Sequence, residues 1–192
     1  MKRLVFALCC LVSLILVVGV SAKDSPPHSG VFERDAVAAD HYEASKAGAE
    51  ILAAGGNAAD AAAATMLALG VVNPASSGLG GGGFALFYDA SSGAITFLDF
   101  RERAPRAAEP TMFDVEGAGL EGPASAPSQL GGLAAGVPGE PAGIEALVRD
   151  FGRLPLRDVV APALRLAERG FPVSEALARM GAVPVPAIVD QV

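Results

Sequence analysis

The sequence predicts an α/β fold built in layers. Three observations carry that reading: helix-forming sequence up to about residue 71, two strand-like runs at Phe84–Asp89 and Ala94–Phe100, and further helices joined by Pro/Gly-rich loops. The two runs are apolar nearly throughout instead of alternating, the pattern of strands covered on both faces. Their short Ala90-Ser91-Ser92-Gly93 connection predicts an antiparallel hairpin.

In chain order, Met1–Ala22 reads as a secretory leader. Lys2 and Arg3 supply a positive start, Leu4–Val20 an apolar run, and Val20-Ser21-Ala22 a small-residue cleavage site. The competing reading is an uncleaved membrane anchor through residues 4–20, at the short end of the roughly 17–25 residues that a spanning helix needs. Cleavage is preferred, which makes the chain exported, to a periplasm or the extracellular space. Both cysteines, Cys9 and Cys10, lie in the leader, so the mature chain has no thiol chemistry and no disulfide framework. Cys9 has too little apolar sequence before it for a lipid-attachment site. Losing Lys2 and Arg3 moves the formal charge from −7 to −9, because no acid leaves with them. That balance disfavours nucleic acid or an anionic membrane as partner. Residues 23–35 read as a flexible lead-in, and 36–192 as one domain.

Ala36–Ala39 suggests a short strand. Asp40 and Glu43 have capping-box spacing, so a helix is expected to start there and run to about Ala54, ended by Gly55-Gly56. Asn57 has N-cap chemistry with Asp60 three residues on, opening a second helix over Ala58–Val71. That helix is nearly all alanine, with strong propensity and little amphipathicity, and reads as buried on both sides. Asn73-Pro74 then turns into the glycine run of residues 78–83. After the hairpin, residues 104–141 are rich in Pro, Gly, Ser and Ala and read as a surface excursion. Pro141 opens a helix with a stripe at Ile144, Leu147, Val148 and Phe151, closed by Gly152. Another helix is expected from Pro155 to Arg169, ending at Gly170, and a last one from Ser174-Glu175 through Met180.

Gly78, Gly80 and Gly83 formally spell G-x-G-x-x-G. A dinucleotide site needs those glycines after a strand and before a helix. Here a helix precedes and a strand follows, so the glycines read as a backbone crossing too tight for a Cβ. His28 and His41 have no metal-ligand spacing and are expected to face solvent; no metal or other cofactor is expected. No serine sits in a G-x-S-x-G elbow. Arg101, delivered at the end of the second strand, stands out: its planar fork can grip a carboxylate with two parallel hydrogen bonds. An internal ion pair with Asp99 or Glu102 is the competing reading. Arg103 and Arg106 are expected on a solvated surface.

Five stretches in register resemble one family. They are HYEASKAGAEILAAGGNAADAAAATMLALGVVNP (41–74), SGLGGGGFALFYD (77–89), LDFRERAP (98–105), AAGVPGEPAGIEAL (134–147) and RLPLRDVVAPALRLAERGFPVS (153–174). Together they are similar to the N-terminal part of gamma-glutamyltranspeptidases. The resemblance implies an Ntn-hydrolase fold, an αββα sandwich of two sheets between helical layers, of which only the N-terminal portion is present. It implies a precursor that cuts itself into a large and a small subunit. The small subunit's new N-terminal threonine would attack the γ-glutamyl amide of glutathione, with water or an amine acceptor resolving the ester. Such a nucleophile uses its own free α-amine as base. Arg101 falls on the arginine of the family's DFRE-like motif, which implies binding of the substrate's α-carboxylate.

The threonines here are Thr65, Thr96 and Thr111, expected in the alanine helix, a strand and a loop. None has the nucleophile's context, so no catalytic residue is expected in this chain. It reads as a truncated piece, inactive alone, lacking its small subunit and with sheet edges exposed to aggregation. Two other readings stand beside it. One is a related acylase acting on another acyl amide such as a cephalosporin side chain, which Arg101 disfavours. The other is a secreted, non-catalytic binding domain ending at Val192.

Overall fold

A computed structural model describes residues 32–113, 127–128 and 131–181. The leader, His28 and much of the 104–141 excursion therefore lie outside the described residues. The chain divides at Arg34 into two compact units. Of the first, only Phe32–Arg34 are described, and they form no helix or strand. The second unit holds the elements α1 (Tyr42–Ala53), α2 (Ala58–Val72), β1 (Phe84–Asp89), β2 (Ala94–Asp99), α3 (Glu140–Phe151), α4 (Leu156–Arg169) and α5 (Glu175–Gly181). A short 3-10 turn at Gly132–Ala134 precedes α3.

The start of α1 differs from expectation. His41, not Asp40, is the N-cap, and its Nδ1 accepts a hydrogen bond from Glu43 N at 3.2 Å. His41 is half-buried with its ring edge-on to Phe171, so it does not face solvent. Ala36–Ala39 forms no strand and no bridge with any of the described residues. Gly55, at φ +96°, supplies the left-handed turn that ends α1.

Helix α2 is the centre of the helical layer, touching α1, α3 and α4. Its alanines let these neighbours approach closely: Ala59, Ala63 and Ala64 meet Ile51, Ile144, Leu147, Val148 and Val159, while Ala68 and Val72 meet Ala44, Ala47 and Ala163. Burying each of the larger aliphatic side chains contributes about 2 kcal/mol. The expected cap at Asn57 is present as a full capping box: Asn57 Oδ1 accepts from Ala59 N and Asp60 N, and Asp60 Oδ2 accepts from Asn57 N at 2.9 Å. Asp60 does more than the local pattern requires. Wholly buried, it also accepts from Arg153 N at 2.9 Å and Leu154 N at 3.4 Å, while Asn57 Nδ2 donates to Phe151 O at 2.6 Å. The α2 cap is thus fastened to the turn between α3 and α4.

Helix α3 buries its stripe as the spacing predicts, and α4 continues through Pro162. Without an N–H, Pro162 leaves the Asp158 carbonyl without its helical donor. An Arg165–Glu50 ion pair joins α4 to α1. Ser174 Oγ accepts from Leu177 N at the start of α5.

The hairpin is antiparallel, with Phe84 opposite Asp99, Leu86 opposite Phe97 and Tyr88 opposite Ile95. At the turn, the Asp89 carboxylate accepts from the hydroxyls of Ser92 and Ser91 and from Ser91 N, which lowers its pKa. The expectation of two covered faces fails here. Ala85, Phe87 and Leu98 pack on the helical core, Phe87 against Phe151 at 4.9 Å between centroids. The opposite face, Phe84, Leu86, Tyr88, Ile95 and Phe97, is exposed. An apolar run without alternation reports what a strand is suited to, and only one of its two covers lies among the described residues.

Candidate functional site

The site is built outward from Phe100. The hairpin ladder continues one step past β2, with Phe100 N donating to Gly83 O at 3.0 Å and Gly83 N to Phe100 O at 3.3 Å. The Phe100 ring turns inward and is buried. A Cβ on Gly143 would clash with that ring, and one on Gly139 or Gly82 would collide with the Phe100 carbonyl. Three residues on, Arg103 and Val137 exchange backbone hydrogen bonds at 3.1 and 2.8 Å. Residues 100–103 are therefore clamped between the glycine loop and the segment leading into α3. We expect Gly143→Ala to displace Phe100 and cost about 2 kcal/mol of stability, read as a lower thermal midpoint. An unchanged midpoint would show that the clamp has slack.

Arg101 lies on the exposed face of the hairpin. Its guanidinium carbon is 5.8 Å from the Phe84 ring centroid, and Phe84 in turn stacks on Phe97. Its Nε is 3.3 Å from Glu102 Oε2, and its side chain is 57% exposed. The ion-pair partner is Glu102, whereas Asp99 accepts from the Arg101 backbone N–H. Among the described residues the Arg101 guanidinium forms no hydrogen bond, and its contact with Glu102 is an ion pair alone. The Nε edge of the guanidinium lies beside Glu102, and more than half of the side chain is open to solvent. Arg103 and Arg106 are exposed, as expected.

Arg101 and Glu102 form one wall of an open pocket of about 400 Å³; residues 74–82 form another and Glu140 a third. The glycine loop seats α3: Gly81 O accepts from Gly139 N at 2.9 Å and Glu140 N at 3.0 Å. The reading of a tight crossing holds at Gly82 and Gly83. It fails at Gly78 and Gly80, where a Cβ would meet nothing within 4 Å; Gly78 instead has φ +153°.

Glu140 was not singled out by the sequence, where an acid beside a helix-opening proline resembles an ordinary first-turn residue. In the fold it is 7% exposed. Burial first, and the Glu102 charge second, push its carboxyl above the usual glutamate range. Glu102 Oε2 is itself buried and without a hydrogen-bond partner among the described residues.

Thr65 is buried in α2 and donates to Ala61 O at 2.8 Å, Thr96 lies in β2, and Thr111 is in an exposed turn. Among the described residues, no cluster of three or more His, Cys, Asp or Glu side chains forms a metal site.

The family model described as gamma-glutamyltranspeptidase matches residues 44–189. The glutathione hydrolase proenzyme of Bacillus subtilis is 38% identical over 183 residues, covering 89% of this chain and 31% of the relative. The crystal structure of Helicobacter pylori gamma-glutamyltranspeptidase superposes with TM-score 0.72 at 41% identity, covering 79% of this chain and 42% of that one. A cephalosporin acylase from Bacillus halodurans superposes with TM-score 0.65 at 35% identity, over 81% of this chain and 29% of that one. The chain spans under a third of the length of such curated relatives. What it carries is part of the Ntn-hydrolase-type α/β fold of those proteins. The chain belongs to the gamma-glutamyltranspeptidase family.

Proposed function

We propose that this chain is the substrate-gripping portion of an exported enzyme that cleaves the γ-glutamyl amide of glutathione and related compounds. The glutamyl group passes to water or to an amine acceptor. The observation that carries the reading is the exposed guanidinium of Arg101, clamped on a strand end beside a pocket in a member of this family. A guanidinium fork matches an α-carboxylate in geometry and charge. The nucleophile, a threonine freed by self-cleavage, comes from sequence outside these 192 residues. The placements of Thr65, Thr96 and Thr111 support this, because none is a free chain start.

The exposed face of the hairpin supports the same reading. Five large apolar side chains on one face make a surface that a folded protein ordinarily covers. The remainder of the natural protein, including a small subunit, is the proposed cover.

The test is to purify the natural exported product, map its peptides and assay it with γ-glutamyl-p-nitroanilide. A second polypeptide beginning with threonine, together with release of nitroaniline, is the expected result. A single species ending at Val192 and inert towards the substrate would overturn the reading. The likeness to a cephalosporin acylase keeps a second reading in play, an acylase for another acyl amide. Turnover of a glutaryl amide, with none of the γ-glutamyl compound, would select it.

A further inference from the structure

Deepening the proposed function, and resting on it, we infer that Glu140 is a positioning residue for Arg101 that acts through Glu102. Glu102 bridges the two. Its Oε2 is 3.3 Å from Arg101 Nε, while its Oε1 faces the glycine loop. There, Glu102 Oε1 and Glu140 Oε2 both lie 3.6 Å from the point a Cβ would occupy on Gly81. Two carboxyl groups thus border the same space, beside a residue that has no side chain to fill it.

Two anions bordering one pocket, one of them largely out of water, repel. A single proton held on Glu140 removes the repulsion and turns its carboxyl into a donor for Glu102. Glu102 then keeps one full charge and one fixed orientation, and the Arg101 guanidinium is held at its Nε edge. The raised pKa of Glu140 agrees with this arrangement. Among the described residues, the charged side chains that line the pocket with Glu140 are Glu102 and Arg101; the wall formed by residues 74–82 carries no titratable side chain. The helix N-terminus at Glu140 opposes protonation, but burial outweighs it.

The sign of the pH dependence follows. As pH rises through the raised pKa of Glu140 the proton leaves, Glu102 loses its donor and faces a second anion, and the hold on Arg101 loosens. KM for the γ-glutamyl donor should therefore rise with pH.

The test uses the complete natural protein, with γ-glutamyl-p-nitroanilide as substrate. Glu140→Ala should raise KM about tenfold, near 1.4 kcal/mol, with kcat within about twofold of the parent. Glu140→Gln keeps the shape and donates permanently, so its KM should stay low and no longer rise with pH. Should the alanine variant fail to fold, the glutamine variant decides alone: a KM–pH profile identical to the parent's overturns the inference. An infrared titration gives a readout free of activity. One carboxyl, absent from Glu140→Gln, should ionise above the bulk of the carboxylates, and its ionisation in the ordinary glutamate range would also overturn the inference. Arg101→Ala separates the two levels. If it raises KM while the Glu140 variants change nothing, only this inference falls; if it leaves KM unchanged, the reading of the site falls and this inference with it.

Discussion

Arg101→Ala in the complete natural protein should raise KM for a γ-glutamyl donor about 100-fold, because losing two charge-assisted hydrogen bonds from a half-exposed site removes about 3 kcal/mol. The substrate's α-carboxylate is remote from the bond that breaks. Its grip is the same in ground and transition states, so kcat should fall far less than kcat/KM. Arg101→Lys should recover only part of the loss: an ammonium offers a point charge where the guanidinium offers two parallel donors. The Glu102 contact and the Phe84 ring hold the guanidinium, so the lysine also forfeits its seat. Steady-state kinetics on the three proteins checks this. A KM within twofold of the parent for Arg101→Ala would return Arg101 to the role of a surface ion pair.

Asp60→Ala should be the most damaging single change to the fold, costing about 3 kcal/mol, or roughly 10 °C in thermal midpoint. The fully buried carboxylate accepts from Asn57 N, Arg153 N and Leu154 N. Removing it leaves three half-buried backbone donors without their partner. It also unfastens the α2 cap from the α3–α4 turn. Asp60→Asn keeps an acceptor oxygen and should cost less than half as much. Equal midpoints for Asp60→Ala and the parent would mean that water replaces the carboxylate and that the turn is not held by it.

The contrast between those two residues shows how far the sequence reached. The placement of Arg101 was legible because a strand end fixes where a side chain sits, and the following backbone is clamped as the glycines suggested. Glu140 was not legible. An acid in the first turn of a helix is ordinarily solvated, and nothing local shows that Glu102 and the glycine loop close over it. His41 was misplaced for a related reason: a capping box at Asp40–Glu43 is good local chemistry, but packing against Phe171 favours the imidazole one residue on.

Most of the elements and their order are written locally in the sequence, the strand expected at Ala36–Ala39 being an exception. Helix caps, the positive-φ glycines and apolar periodicity act within a few residues, so they are written where they operate. The α1 and α2 limits at Gly55 and Asn57, the hairpin and the α3 stripe all follow from them. Tertiary structure alone decided which face of the hairpin is covered, that Asp60 reaches across 93 residues to Arg153, and that two glutamates 38 positions apart border one pocket beside Gly81. Those outcomes depend on contacts between segments distant in the chain, and burial sets both the strength of each hydrogen bond and the protonation of each carboxyl.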